Sequence, residues 1–143
     1  MRGRGTAGQL GHVTVEVDGL PCACGRRGCL ETRSAGKALR RYIADAGLPE
    51  STTAQSLLAQ DDAQSRAIVA RWAAPLRAGI DSLAATLDPD LVLLGGGLGD
   101  AACAALARFP SSSAWFQPRV APAALGDNAG VIGAAFAAMD LAP

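Results

Sequence analysis

Four side chains, His12, Cys22, Cys24 and Cys29, limit what this chain can fold into more than any other feature. They are the only histidine and three of the four cysteines in 143 residues, spaced H-x9-C-x-C-x4-C. Three soft thiolates and one imidazole in so short a span are the donor set of a closed tetrahedral zinc site. The spacing therefore predicts a structural zinc loop over residues 8–31. Disulfides fit less well: a bridge within Cys22-x-Cys24 would be strained, Cys103 is distant, and nothing resembles a secretory signal. A lone histidine is usually packed or solvated, but His12 lies upstream of the thiols by a distance that a strand and a turn can fold back. Gly25 and Gly28 let the loop double back on itself. Zinc with three thiolates and a neutral imidazole carries a net charge of about −1, which Arg26 and Arg27 can offset. A phosphate-gripping zinc knuckle would need aromatic platforms between those arginines, and none is there.

The length suits one domain, and half the residues are apolar while only 4% are aromatic, so the core must be built from Ala, Leu, Val and Ile. Thirteen basic and thirteen acidic residues leave no net charge to draw this segment to nucleic acid or an anionic membrane. No apolar run reaches transmembrane length and no targeting segment is recognisable, which predicts a cytoplasmic protein. The abundance of Ala, Gly and Arg suggests a GC-rich bacterial genome.

Residues 1–8 read as an entering loop. Residues 12–17 alternate, with Val13, Val15 and Val17 on one face and His12, Thr14 and Glu16 on the other, predicting a half-buried strand; Asp18, Gly19 and Pro21 then turn into the zinc loop. A helix follows from a Ser34 cap, with Ala35, Leu39, Tyr42 and Ile43 inward and Gly47 as its stop. Residues 48–53 read as a loop and 56–60 as a short helical turn. The clearest period, Ile68, Trp72, Leu76, Ile80, Leu83 and Leu87, predicts a long helix over 62–87. Pro75 should kink it, at roughly 3 kcal/mol if unrelieved, or break it in two.

After the Asp88-Pro89-Asp90 turn, Leu91–Leu94 has the continuous apolar character of a strand buried on both faces. Gly95, Gly96 and Gly97 follow, in a glycine loop over 95–99, and Asp100 opens a helix over 101–108. Strand, glycine loop and helix start together let backbone amides approach a phosphate or a nucleoside; a tight strand-to-helix turn explains the run equally well. Residues 110–116 read as a connecting loop and 119–123 as a short strand. Residues 126–128 cap a last helix over 129–139, where Gly130, Gly133, Ala134 and Ala137 form a small-residue surface. The fold class is α/β.

The stretch Q-L-G-H at 9–12 followed by C-A-C-G-R-R-G-C-L-E at 22–31 closely resembles the signature of the ROK family, bacterial sugar kinases and sugar-responsive transcription regulators. That signature is E-x-G-H followed by C-x-C-G-x-x-G-C-x-E. The resemblance implies the C-terminal half of an actin/hexokinase-like (ribonuclease H-like) ATPase fold, with residues 1–143 forming a single partial domain. It implies sugar contacts at Gln9, His12 and Glu31, and a nucleotide-contacting loop at Gly95, Gly96 and Gly97. Read from the residues alone, Glu31 is a carboxylate placed at a helix N-terminus; the resemblance favours the sugar contact over that. Gln9 departs from the family glutamate and replaces a charged acceptor with a neutral one.

The resemblance also implies ATP and Mg2+ for a complete kinase, with a phosphate loop, a catalytic aspartate and a first hairpin all preceding Met1. The expectation is the C-terminal lobe of an ATP-dependent sugar kinase, inactive alone. The alternatives are the sugar-sensing domain of a ROK regulator and a zinc-stabilised non-catalytic remnant. Without that hairpin, Val13–Val17 and Leu91–Leu94 would lose neighbours, which predicts a homo-oligomer in contact there and through the last helix.

Overall fold

A computed structural model describes residues 7–140; residues 1–6 of the expected entering loop lie outside the described residues. A 3-10 turn, Leu10–His12, is followed by helices α1 (Glu31–Ser34), α2 (Gly36–Asp45), α3 (Ala54–Gln60) and α4 (Ala63–Leu87). Strand β1 (Leu91–Leu94), helix α5 (Gly99–Leu106), strand β2 (Arg119–Pro122), a 3-10 turn Gly126–Asn128 and helix α6 (Ala129–Asp140) complete the order. The strands pair in parallel, with Leu91 opposite Arg119 and Leu94 opposite Pro122. Helices and a small parallel sheet make the α/β class expected from the sequence.

Helix α4 is the member on which the others are packed. Asp62 caps it by accepting from the Ser65 amide at 2.8 Å, and Ile68, Val69, Trp72, Ala73, Ile80 and Ala84 are buried along it. The helix runs unbroken for 25 residues through Pro75. The lost amide bond there is offset by burial of the turns on either side, Trp72 and Ala73 before it and Gly79 and Ile80 after it. The expected stripe fades at its C-terminal end: Leu76 and Leu83 are half-buried and Leu87 is exposed.

Helix α2 buries Ala38, Leu39, Tyr42 and Ile43 against α4. Gly47, at φ +69°, ends it as expected, with the Leu48 amide bonded back to the Ile43 carbonyl at 3.1 Å. Ser34 does not cap it. A short helix α1 already occupies Glu31–Ser34, Ala35 is the cap residue, and the Ser34 hydroxyl donates to the Trp72 carbonyl at 2.7 Å. Helix α3 begins two residues earlier than expected because Thr53 and Ser56 form a reciprocal capping box.

Three further expectations are corrected. Residues 12–17 form no strand: His12 ends the 3-10 turn, only a single bridge joins Thr14 to Cys29, and Val17 is 84% exposed. The reason is the close crossing of Gly28 over the Glu16 carbonyl, where a Cβ would lie 1.6 Å from that oxygen, which stops the pairing after one step. Strand β1 is covered on one face only, with Leu91 and Leu93 exposed and Leu94 packed onto the core beside α5. Helix α5 starts at Gly99, so Asp100 lies in its first turn rather than at its cap.

On helix α6, Val131, Phe136 and Met139 are all exposed. Its glycines at 130 and 133 face open space, so the small-residue surface packs against nothing among the described residues. No described helix is long and apolar enough to cross a membrane.

Trp72 is 1% exposed and its indole N–H donates to the Ser34 carbonyl at 2.8 Å. Trp72→Ala should therefore cost about 3–5 kcal/mol through cavity formation and an orphaned carbonyl, measured as a lower urea midpoint by circular dichroism.

Candidate metal centre and its surroundings

The zinc-loop residues are brought together by two attachments to α4 and one internal clamp. Leu30, immediately after Cys29, lies against Gly79, where a Cβ would come within 2.8 Å of Leu30 Cδ2. Ser34 and Trp72 exchange two hydrogen bonds, at 2.7 and 2.8 Å. Within the loop, Arg33 grips the Glu16 carboxylate with two N–H groups, its Nε at 2.7 Å from Oε2. Loop hydrogen bonds finish the fold-back: Val15 N–H to the Gly28 carbonyl at 2.9 Å, Cys22 N–H to Arg26 at 2.8 Å and Leu30 N–H to Val13 at 2.9 Å.

The result places one donor atom each from His12, Cys22, Cys24 and Cys29 within 4.8 Å of one another. Cys22 Sγ lies 3.5 Å from His12 Nδ1 and Cys24 Sγ lies 3.6 Å from Cys29 Sγ. A tetrahedral ion with arms of about 2.3 Å sets its ligand atoms about 3.8 Å apart, so these four donors fit zinc. His12 turns Nδ1 inward, which leaves Nε2 available on the other side of the ring. Cys103 stands outside the group, on α5.

The electrostatics of the thiols differ from one to the next. The amide of Arg26, followed by the neighbouring thiols, holds Cys24 down to about 6. The amide of Cys24 acts on Cys22 in the same direction, but the facing Glu31 carboxylate, desolvation and the other two thiols outweigh it and push Cys22 up to about 12. Arg26 is the cation beside the thiolate: contact with Cys24 raises its pKa and its guanidinium also donates to the His12 carbonyl. Of the two arginines expected to offset the cluster's charge, Arg26 is therefore the one the fold applies to it.

Glu31 opens α1 and so sits where the helix dipole favours a carboxylate. It is also beside the cluster, with Oε1 accepting from the Cys22 thiol at 3.0 Å and 3.8 Å from His12 Nδ1. Gly11 allows this approach, since a Cβ there would already stand 3.6 Å from Glu31 Cβ. Glu31 also lines a cavity of about 390 Å³ with Cys22, Thr32, Lys37 and Arg41, a volume in the range of small-ligand pockets. Gln9 precedes the 3-10 turn with an exposed side chain and no side-chain cap bond, so the fold does not draw it into the group.

Gly95, Gly96 and Gly97 lie apart, at the C-terminal end of β1. Gly96 has φ +75°, and Gly99 abuts β1 so closely that a Cβ would stand 2.4 Å from the Leu94 carbonyl oxygen. The two regions touch through Gly36 at the start of α2, whose added Cβ would lie 3.2 Å from Leu98 Cδ1. Sequence reasoning overlooked Glu16 as the loop's clamp, because its partner Arg33 lies 17 positions away and no local pattern links them.

Comparison with known proteins gives consistent results. A family model described as the ROK family matches residues 1–140. The glucokinase of Streptomyces coelicolor is 32% identical over 92% of this chain and 50% of its own length. Among solved structures, a ROK hexokinase from Thermus thermophilus is 33% identical with a TM-score of 0.70, covering 96% of this chain and 49% of that one. A ROK family glucokinase from Streptomyces griseus, in complex with glucose and AMPPNP, is 29% identical with a TM-score of 0.74 over 96% of this chain and 53% of that one. The chain spans about half the length of the curated relatives it matches.

The Glu16 clamp has a pH signature. Its hydrogen bonds to Arg33 hold its carboxyl below the usual 4.5, so the stabilisation is complete above that pH and is lost as pH falls through the lowered value. The stability difference between wild type and Glu16→Gln, from urea melts across pH 3–7 (about two units either side of a carboxylate's range), should therefore shrink below about 4.5. A difference that stays constant with pH would show that the clamp carries no charge.

Proposed function

Because the chain belongs to the ROK family, we propose that it is the C-terminal lobe of an ATP-dependent sugar kinase, holding one structural zinc and one side of the sugar site. The observation that carries this reading is Glu31 Oε1 lying 3.0 Å from Cys22 Sγ, at the edge of a four-donor cluster. A metal-supported loop and a carboxylate that can accept sugar hydroxyls are thus a single unit.

In this reading His12, Cys22, Cys24 and Cys29 hold the zinc, whose contribution when bound is to lock the loop shape. The remaining chemistry belongs to the chain's own groups. His12 Nε2 donates to a sugar hydroxyl while Nδ1 faces the thiols. The proton through which Cys22 now binds Glu31 is lost when Cys22 becomes a metal ligand, which leaves Oε1 free to accept from sugar. Gln9, a neutral acceptor where the family signature has a carboxylate, weakens the grip on hexose. The loop at Gly95, Gly96 and Gly97 contacts ATP, with Mg2+ carried on its phosphates.

Phosphoryl transfer depends on positioning and charge neutralisation, and a catalytic aspartate and phosphate loop equivalent to the family's would have to come from outside residues 1–143. The whole reaction is therefore that of a complete kinase, and this chain by itself binds without turning over.

Metal analysis should find one zinc per chain, and chelation should unfold residues 8–30, since a structural zinc is worth roughly 10 kcal/mol or more. Glucose binding should be lost with the metal and weakened about tenfold to a hundredfold by Glu31→Gln, the loss expected for one charge-assisted hydrogen bond. Substoichiometric zinc with an ordered loop, or sugar-dependent ATP turnover by the chain that survives loss of Glu31, would sink the proposal.

Association follows from the uncovered apolar surface. Leu87, Leu91 and Leu93 with Val131, Phe136 and Met139 of α6 are exposed, and among the described residues the sheet has only two strands, so a second copy of the isolated chain is the proposed cover. Val13–Val17 offers no strand edge for such a contact, since a single bridge, Thr14 to Cys29, is all that forms there. Sedimentation at micromolar concentration should show a dimer or larger species; a monomer with a cooperative melt would remove this proposal.

A further inference from the structure

A cavity of about 450 Å³ lies between α4, α5 and the start of β2, and no residue of the metal loop or the glycine loop lines it. Arg77 of α4 and Arg119 of β2 both border it. Arg119 stands opposite Leu91 at the first step of the parallel pair, so the cavity is at the amino ends of the strands, away from Gly95–Gly97. Its size is that of a small-ligand pocket. Leu106, Pro110, Pro118 and Val120 give it apolar walls.

Hydrogen bonding decides which groups are free to meet a ligand there. The Ser111 hydroxyl donates its one proton to the Phe116 carbonyl at 3.3 Å, and Gln117 aims its amide nitrogen at the Ser113 carbonyl at 2.8 Å. Both are thus engaged in shaping the loop that walls the cavity. The Arg77 side chain is 15% exposed, and its Nε alone is spent, on the Phe109 carbonyl at 2.9 Å. Asp81 accompanies it with Oδ1 at 3.5 Å from Nη1, a pairing of charges whose geometry makes no hydrogen bond, for Asp81 Oδ1 is buried without a hydrogen-bond partner. Arg119 meets Asp90 only through the backbone, its N–H donating to the Asp90 carbonyl at 3.3 Å. Its guanidinium has no ion-pair or hydrogen-bond partner among the described residues.

Two guanidinium groups against apolar walls are complementary to an anion with an apolar body, since a guanidinium donates as a fork to both oxygens of a carboxylate. Charge selects among the anions. Asp81 already offsets Arg77, so Arg119 supplies the one uncompensated charge, which suits a singly charged carboxylate better than a phosphate ester of nearly twice that charge. A sugar body would bring hydroxyls to walls that offer them few partners. We propose that this cavity binds a small carboxylate with a compact apolar body, such as a branched-chain acid, its head taken by Arg77 and Arg119 and its body lying against the apolar walls. The assignment stands apart from the kinase reading, because it uses none of the same residues.

Isocaproate is the probe, titrated into the intact 143-residue chain and followed by amide chemical shifts, beside its neutral isostere isocaproamide and inorganic phosphate. Isocaproate should shift Ala107, Ser111 and Val120 and leave Gly95–Gly97 in place. Isocaproamide should bind roughly tenfold more weakly, the loss expected when a hydrogen bond to a charged group is given up. Phosphate, which has no apolar body, should also bind more weakly than isocaproate. Arg119→Gln, at an exposed position that opens β2, should keep the wild-type melt and bring the acid down to the affinity of the amide. Arg77→Lys, which keeps the charge but loses the fork and the bond to Phe109, should weaken the acid too; where its melt is lost, Arg119→Gln decides. Equal binding of acid and amide by wild type, a preference for the acid that survives Arg119→Gln, phosphate matching isocaproate, or shifts that are absent or fall outside the cavity would each overturn the assignment. All of these outcomes leave the kinase reading standing, since zinc content and glucose binding test it separately.

Discussion

The reciprocal hydrogen bonds between Ser34 and Trp72 are the joint on which the rest of the structure depends. They lie between the end of α1 and the most buried stretch of α4, so they fix the exit of the cysteine loop onto a rigid helix. The indole N–H satisfies the Ser34 carbonyl at the end of α1, where an unmade bond costs more than a made one contributes, and the Ser34 hydroxyl adds a second bond to a helix carbonyl. Leu30 against Gly79 adds the second point of attachment. Two points on one helix define an orientation, and the four donors inherit it.

From that joint the molecule divides into a supported half and an unsupported one. Helices α2 to α5 share a core around Trp72, Tyr42 and Leu57, whereas β1 is covered on one face and α6 stands exposed. The supported half carries the cysteine cluster and Glu31; the sheet exits carry the glycine loop. Gly36 against Leu98 and Gly99 against the Leu94 carbonyl, with Leu94 packed on the core, join the two where the helix after the cysteine loop meets the helix after β1.

Local chemistry was legible in the amino-acid sequence by itself. His12, Cys22, Cys24 and Cys29 stand out as a metal-donor set, and the structure gathers them, because ligand type and short spacing are sequence properties; the Ile68, Trp72, Ile80 period announces α4 because helical repeat is one too. Gly47 as a helix stop and the glycines after Leu94 belong to the same class, since turn conformations are encoded by single residues. What only the tertiary structure decided involves partners far apart in the chain. The valine alternation at 13–17 implied a strand, but the crossing of Gly28 over Glu16 left it one bridge long. Glu16 as the mate of Arg33 and Leu30 seated on Gly79 have no local signature. The apolar run of β1 states that it can be buried on both faces, while burial itself needs a neighbour, and a pattern of side chains along one strand carries no information about whether another element arrives to cover it.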